Sequence, residues 1–74
     1  MRDRDIGVAV YEAVRSRAAE RGVTIAQQCI DSGIPQPMLY RWKAGLCPSG
    51  AWLKRLYAAG YDVVEMLGGE RQDV

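Results

Sequence analysis

The stretch TIAQQCIDSGIPQPMLYRWKAG, residues 24–45, decides how this chain is read. Thr24 carries a hydroxyl suited to capping a helix start. The segment Ile25 to Ser32 that follows places Ile25 or Ala26 one turn before Cys29 or Ile30, and Gly33 stops it. Pro35 pushes Ile34 away from helical angles, and Pro37 is tolerated only in the first turn of a new helix. That helix is predicted from about Gln36 to Ala44, ended by Gly45, with Leu39 and Trp42 inward and Tyr40, Arg41 and Lys43 outward.

Two short helices joined at a glycine by a turn of three to four residues have the geometry of a helix-turn-helix, whose second helix lies in the DNA major groove. The physical demands of that unit are met one by one. Cys29 is small where the helices cross, Gly33 relaxes the backbone at the turn, and Ile34 is placed to plug the core. The outer face of the second helix carries Gln36, Tyr40, Arg41 and Lys43, which are hydrogen-bonding and cationic groups.

Outward from this unit, Ile6, Val10, Val14 and Ala18 recur every four residues, widened by Tyr11 and Ala13, and predict an amphipathic helix from about Asp5 to Glu20. Asp3 or Asp5 can cap it, and Arg21-Gly22 closes it. Ser49 opens a fourth helix, Gly50 to Ala59, with Trp52, Leu53, Leu56 and Tyr57 on its apolar face and Gly60 at its end. Asp62 and Glu65 form a capping-box-like start for a last short helix, Val63 to Leu67. Trp42 and Trp52 are read as core. No segment alternates as a strand, so the predicted class is all-α: a compact domain of five helices over residues 1–67, followed by a short polar tail, 68–74.

Composition narrows the function classes. The 74 residues are 49% apolar and 26% charged, the balance of a globular domain. There is no histidine, which removes the commonest general base and zinc ligand, and no catalytic constellation or metal site is predicted. An enzyme is not expected, nor is a cofactor. Cys29 and Cys47 are too far apart for a CxxC pair and read as reduced thiols of a cytoplasmic protein. No apolar run is long enough to span a bilayer, and no signal peptide is recognised. The net charge of +1 is unevenly laid out. Residues 32–61 hold Arg41, Lys43, Lys54 and Arg55 and no acid, whereas residues 62–74 hold four acids against Arg71. A thirty-residue window without carboxylates suits a surface that approaches phosphates.

Ala19 to Thr24, then Cys29-x-x-x-Gly33-Ile34, Leu39-x-x-Trp42-x-x-Gly45, and Pro48-Ser49 before Trp52-Leu53 and Leu56, together resemble the phage repressor and Cro-like (lambda repressor-like, XRE-type) helix-turn-helix family. The resemblance covers roughly residues 6–67. It implies a five-helix lambda-repressor-like domain with its helix-turn-helix at about 24–45, working as a homodimer on a palindromic operator. It further implies a phage or prophage transcriptional regulator in the cytoplasm of a bacterial host, associated with the nucleoid. Three positions depart from the family pattern. Gln28 and Ser32 stand where apolar residues are usually buried, and Ile25 where a polar residue often braces the recognition helix, which predicts a rotated or shortened first helix of the pair.

On this reading the DNA-binding residues are Gln36, Tyr40, Arg41, Lys43 and Thr24. Gln36 can bond an adenine edge in two places; Arg41 reads guanine or holds a phosphate, with Tyr40 beside it; Lys43 holds a phosphate; and the turn at Thr24 offers free N–H groups to a phosphate. About four to six phosphate contacts per subunit give modest affinity, so specificity depends on dimerisation. The apolar end (Tyr57, Tyr61, Val63, Val64, Met66 and Leu67) supplies surface for a two-fold interface. Two alternatives remain. One is an anti-repressor-like protein-interaction module on the same scaffold. The other is an excisionase-like architectural factor, with a wing beginning at Leu46-Cys47-Pro48.

Overall fold

The chain, in a computed structural model that describes the backbone of residues 3–66 and the side chains of residues 6–64, is all-helical, with no strand among the described residues. The helices are α1 (Asp3–Arg21), α2 (Ile25–Ser32), α3 (Gln36–Lys43), α4 (Gly50–Ala58) and α5 (Val63–Met66). The predicted count of five needs correction. Four of these are helices of two turns or more, and α5 is a single turn. So short a segment closes too few i→i−4 hydrogen bonds to offset the cost of nucleating a helix. Leu67, the expected tail 68–74 and the side chains of Asp3, Asp5 and Glu65, which were expected to cap, lie outside the described residues.

The four-residue stripe of α1 is buried from end to end: Ile6, Val10, Val14 and Ala18, with Tyr11 beside them. Its partners are α2, α3 and α5. Cys29, Ile34, Leu39, Trp42, Leu56 and Tyr61 complete one core, with Trp52 packed edge-on to Trp42 at 5.3 Å between ring centroids. Burying a side chain such as Leu39 or Leu56 contributes roughly 1.5–3 kcal/mol each. Gly7 explains how close α1 comes to α3. A Cβ built there lies 2.5 Å from the Trp42 carbonyl oxygen and also collides with the carbonyl oxygen of Leu46, so the first helix crosses the end of the third backbone to backbone. On the outer side, the Arg15–Glu12 pair is exposed, and Glu12 raises the Arg15 pKa by hydrogen bond and charge. Such surface pairs contribute little to stability.

The turn between α2 and α3 follows from its sequence. Gly33 takes φ +72°, its N–H donates to the Ile30 carbonyl (3.2 Å) and the Ile34 N–H donates to that of Cys29 (2.9 Å). This paired closure lets a β-carbon-free residue turn the chain left-handed while Ile34 drops into the core against Cys29. Gly22, Gly45 and Gly60, the other predicted stops, also have positive φ. Thr24 and Ser49 cap as predicted: Thr24 Oγ1 accepts from the Gln27 N–H (3.0 Å) and Ser49 Oγ from the Trp52 N–H (3.3 Å).

Of the alternatives within α2, the structure selects Ile25 and Cys29 as inward; Ile30 is 72% exposed. The expectation of a rotated helix is corrected here. Gln28 stays on the buried face, only 3% exposed, and a hydrogen-bond network accommodates it there. Its Nε2 donates to Tyr61 Oη (2.8 Å) and Ser32 Oγ (3.1 Å), and its Oε1 accepts from Arg21 Nη1 (2.6 Å). Ser32 Oγ and Tyr61 Oη bond each other at 2.8 Å. Arg17 covers the Tyr61 ring with its guanidinium 4.7 Å from the centroid and donates to the Gly60 carbonyl. Among the described residues no buried side-chain nitrogen or oxygen lacks a partner. Gln28 and Ser32, two of the three departing positions, are therefore members of one satisfied polar cluster that ties α1 and α2 to the segment before α5.

Candidate nucleic-acid interface

The outward face of α3 is fixed by what the opposite face buries. Leu39 and Trp42 are sealed in the core, and a helical step of about 100° per residue then turns Gln36, Pro37, Tyr40, Arg41, Lys43 and Ala44 outward, all exposed. The α3 helix begins at Gln36 as predicted and ends one residue early, with Ala44 as its C-cap. Pro35 precedes it and offers no side-chain cap; its carbonyl accepts from the N–H groups of Met38 (2.9 Å) and Leu39 (3.2 Å). With Pro37 lacking an N–H, this helix start has few donors left.

The side chains predicted for this face fall into two groups. Toward α1, Tyr40 leans on Tyr11 with ring centroids 6.2 Å apart, and the Lys43 ammonium sits 4.9 Å from the same Tyr11 ring. Gln36 Nε2 reaches Tyr40 Oη at 3.5 Å. On the other side, Arg41 is exposed and forms no ion pair with any described residue. Thr24 lies apart from this cluster at the start of α2, its hydroxyl occupied by the Gln27 N–H, which leaves the first-turn N–H groups of Ile25 and Ala26 as outward donors. The structure thus gathers Gln36, Tyr40 and Lys43 on the α1 side of α3, leaves Arg41 exposed on the opposite flank, and leaves Thr24 on the neighbouring helix.

Comparison with known proteins finds no matching family model, no matching curated protein and no matching solved structure.

Tyr11 is the organising residue that the sequence reading assigned to the core alone. It is buried, yet it holds two of the outward side chains of α3. Its position one residue beyond Val10, off the strict four-residue stripe, is the signal available in the sequence. Electrostatically the surroundings are sparse in carboxylates. Asp31 on α2 is engaged by Arg21 Nη1 (2.8 Å) and Gln27 Nε2 (2.9 Å), and the Arg21 hydrogen bond, then that of Gln27, holds its pKa below the usual aspartate value. Burial raises the Cys29 thiol pKa, the opposite of what a reactive thiol needs. No group of three or more His, Cys, Asp or Glu residues able to hold a metal occurs among the described residues, and none of their helices is long and apolar enough to cross a membrane.

Elsewhere on the surface, Leu53, Tyr57, Val63 and Val64, with Gly50 and Lys54, line an open apolar groove of about 400 Å³ between α4 and α5. Tyr57 is 73% exposed and Val64 55%. Tyr61, counted with them in the sequence reading, is corrected to a buried position, because its hydroxyl completes the Gln28 network. Residues 46–49 run straight into α4 with no strand, so the segment proposed as a wing forms none.

Proposed function

We propose that this chain is a sequence-specific double-stranded DNA-binding transcriptional regulator of the phage repressor or Cro type, a lambda-repressor-like helix-turn-helix that reads the major groove through α3. The observation that carries the reading is the pairing of α2 and α3 around Gly33, which leaves Gln36, Tyr40, Arg41 and Lys43 all exposed on α3 within a window free of acids. Arg41, exposed and without an ion-pair partner among the described residues, is the group best placed to engage guanine O6 and N7 or a phosphate. Lys43 and the α2 N-terminus at Thr24 supply phosphate contacts that set the register. No catalytic role and no cofactor are assigned.

The groove between α4 and α5 supports a homodimer on a palindromic operator, because a lone copy would leave Tyr57 and Val64 in water. The same groove also favours the second reading, a protein-interaction module whose partner docks there.

The test is selection from a random-sequence duplex pool, with an Arg41→Ala, Lys43→Ala variant alongside. A palindromic motif retained by the wild type and lost by the variant is the expected result, and its half-site spacing reports the dimer geometry. Failure of both proteins to retain DNA at low salt overturns the DNA-binding reading and leaves the protein-interaction module.

A further inference from the structure

The outward face of α3 has a polar rim and an apolar centre. Opposite the buried pair Leu39 and Trp42, the helical step places Pro37 and Ala44, both exposed, with Tyr40 and Arg41 flanking them. Gln36 and Lys43 lie farther round on the α1 side, where Tyr40 and Lys43 are held against Tyr11. The centre of the face thus carries a pyrrolidine ring and a methyl group. Pro37 has no N–H and no polar side-chain atom, and its ring is rigid, so packing it costs almost no side-chain entropy. It also sits in the first turn of α3, the end that meets base edges in a helix-turn-helix.

Covering a major-groove donor or acceptor with such a ring strips its water and returns no hydrogen bond. The single apolar feature that base-pair edges offer there is the C5-methyl of thymine. Resting on the DNA-binding reading above, we infer that the centre of α3 is a 5-methyl reader: Pro37 packs on a thymine methyl in each half-site and distinguishes thymine from cytosine at that position.

The probe is the duplex recovered from the random pool, remade with each thymine replaced singly by uracil, which keeps every hydrogen-bonding group and lacks the methyl alone. Wild-type protein is expected to bind about three- to tenfold more weakly when one particular thymine per half-site is so replaced, the size of a lost methyl contact. Pro37→Ser is expected to lose the same factor on the thymine duplex and to show no further loss on the uracil one. Replacing cytosine by 5-methylcytosine at the same position in a T-to-C duplex should recover most of the lost affinity. Binding within twofold on every uracil duplex overturns the inference, as does a full uracil penalty that persists in Pro37→Ser. Where Pro37→Ser folds poorly, Pro37→Gly, which also lacks the ring, takes its place in the same comparison. A pool that yields no retained duplex overturns the DNA-binding reading and this inference with it.

Discussion

Replacing Gly7 by alanine sets two effects against each other. Within α1, alanine is the better helix former by roughly 0.8–1 kcal/mol, so propensity alone predicts stabilisation. The structure predicts the reverse. The added Cβ lies 2.5 Å from the Trp42 carbonyl oxygen, whereas carbon and oxygen normally approach to about 3.3 Å, so the helices must part by most of an ångström. The obstructing atoms are backbone, with no flexible side chain to swing aside, and parting α1 from α3 loosens the contacts of Ile6, Val10 and Trp42 together. Overpacking of this kind costs about 1–3 kcal/mol and occasionally more, and the lost dispersion adds to it. After subtracting the propensity gain, Gly7→Ala should lower stability by about 1 kcal/mol. With a urea m-value of about 1 kcal/mol/M for a domain this small, the midpoint should fall by about 1 M. Gly50, where a Cβ meets nothing within 4 Å, is the control, and Gly50→Ala should be neutral or slightly stabilising. Urea titrations followed by circular dichroism compare the three proteins. A Gly7→Ala midpoint at or above that of the wild type refutes the close crossing.

Tyr61→Phe removes a hydroxyl that bonds both Gln28 and Ser32, and should cost about 1–3 kcal/mol; adding Gln28→Leu should recover part of the loss, and additive single-mutant losses in urea melts would contradict the network. Asp31 is held below its ordinary pKa by Arg21 and Gln27, so its contribution is present above the ordinary value and fades as pH falls through the depressed one. Thermal midpoints of wild type and Asp31→Asn should therefore differ at neutral pH and converge well below about pH 3.9; a constant gap argues against the pairing. Native protein should show one thiol that reacts readily with a disulfide reagent, Cys47, and one, Cys29, that reacts only at the rate of unfolding. Equal rates would mean that the α2 crossing opens freely.

Much of the fold was legible because each signal was local. The α1 stripe, the caps at Thr24 and Ser49 and the glycine stops are properties of a few neighbouring residues, and each follows from backbone sterics or a single hydrogen bond. What escaped the sequence depended on residues distant along the chain. Gln28 and Ser32 look like polar intruders until Tyr61, twenty-nine residues beyond Ser32, arrives with its hydroxyl. Gly7 looks like a flaw in a helix until the Trp42 carbonyl is placed beside it. For the interface, periodicity identified which α3 side chains face outward, because Leu39 and Trp42 fix the rotation of the helix. It did not reveal that Tyr11 gathers Tyr40 and Lys43 to one side and leaves Pro37 at the centre, since that arrangement is set by a neighbouring helix.

The cluster of buried Gln28 and Tyr61 with half-buried Ser32 constrains how this chain can change over time. Each member satisfies a lone pair or proton of another, so losing one leaves its neighbours short of a partner, while exchanging Gln28, Ser32 and Tyr61 together for apolar residues of similar shape leaves none of them stranded. Single steps are costly and the joint step is nearly neutral. Descendants of this sequence should therefore either keep the trio whole or abandon it as a unit, so that residues 28, 32 and 61, the last distant in the chain from the others, are inherited as one character.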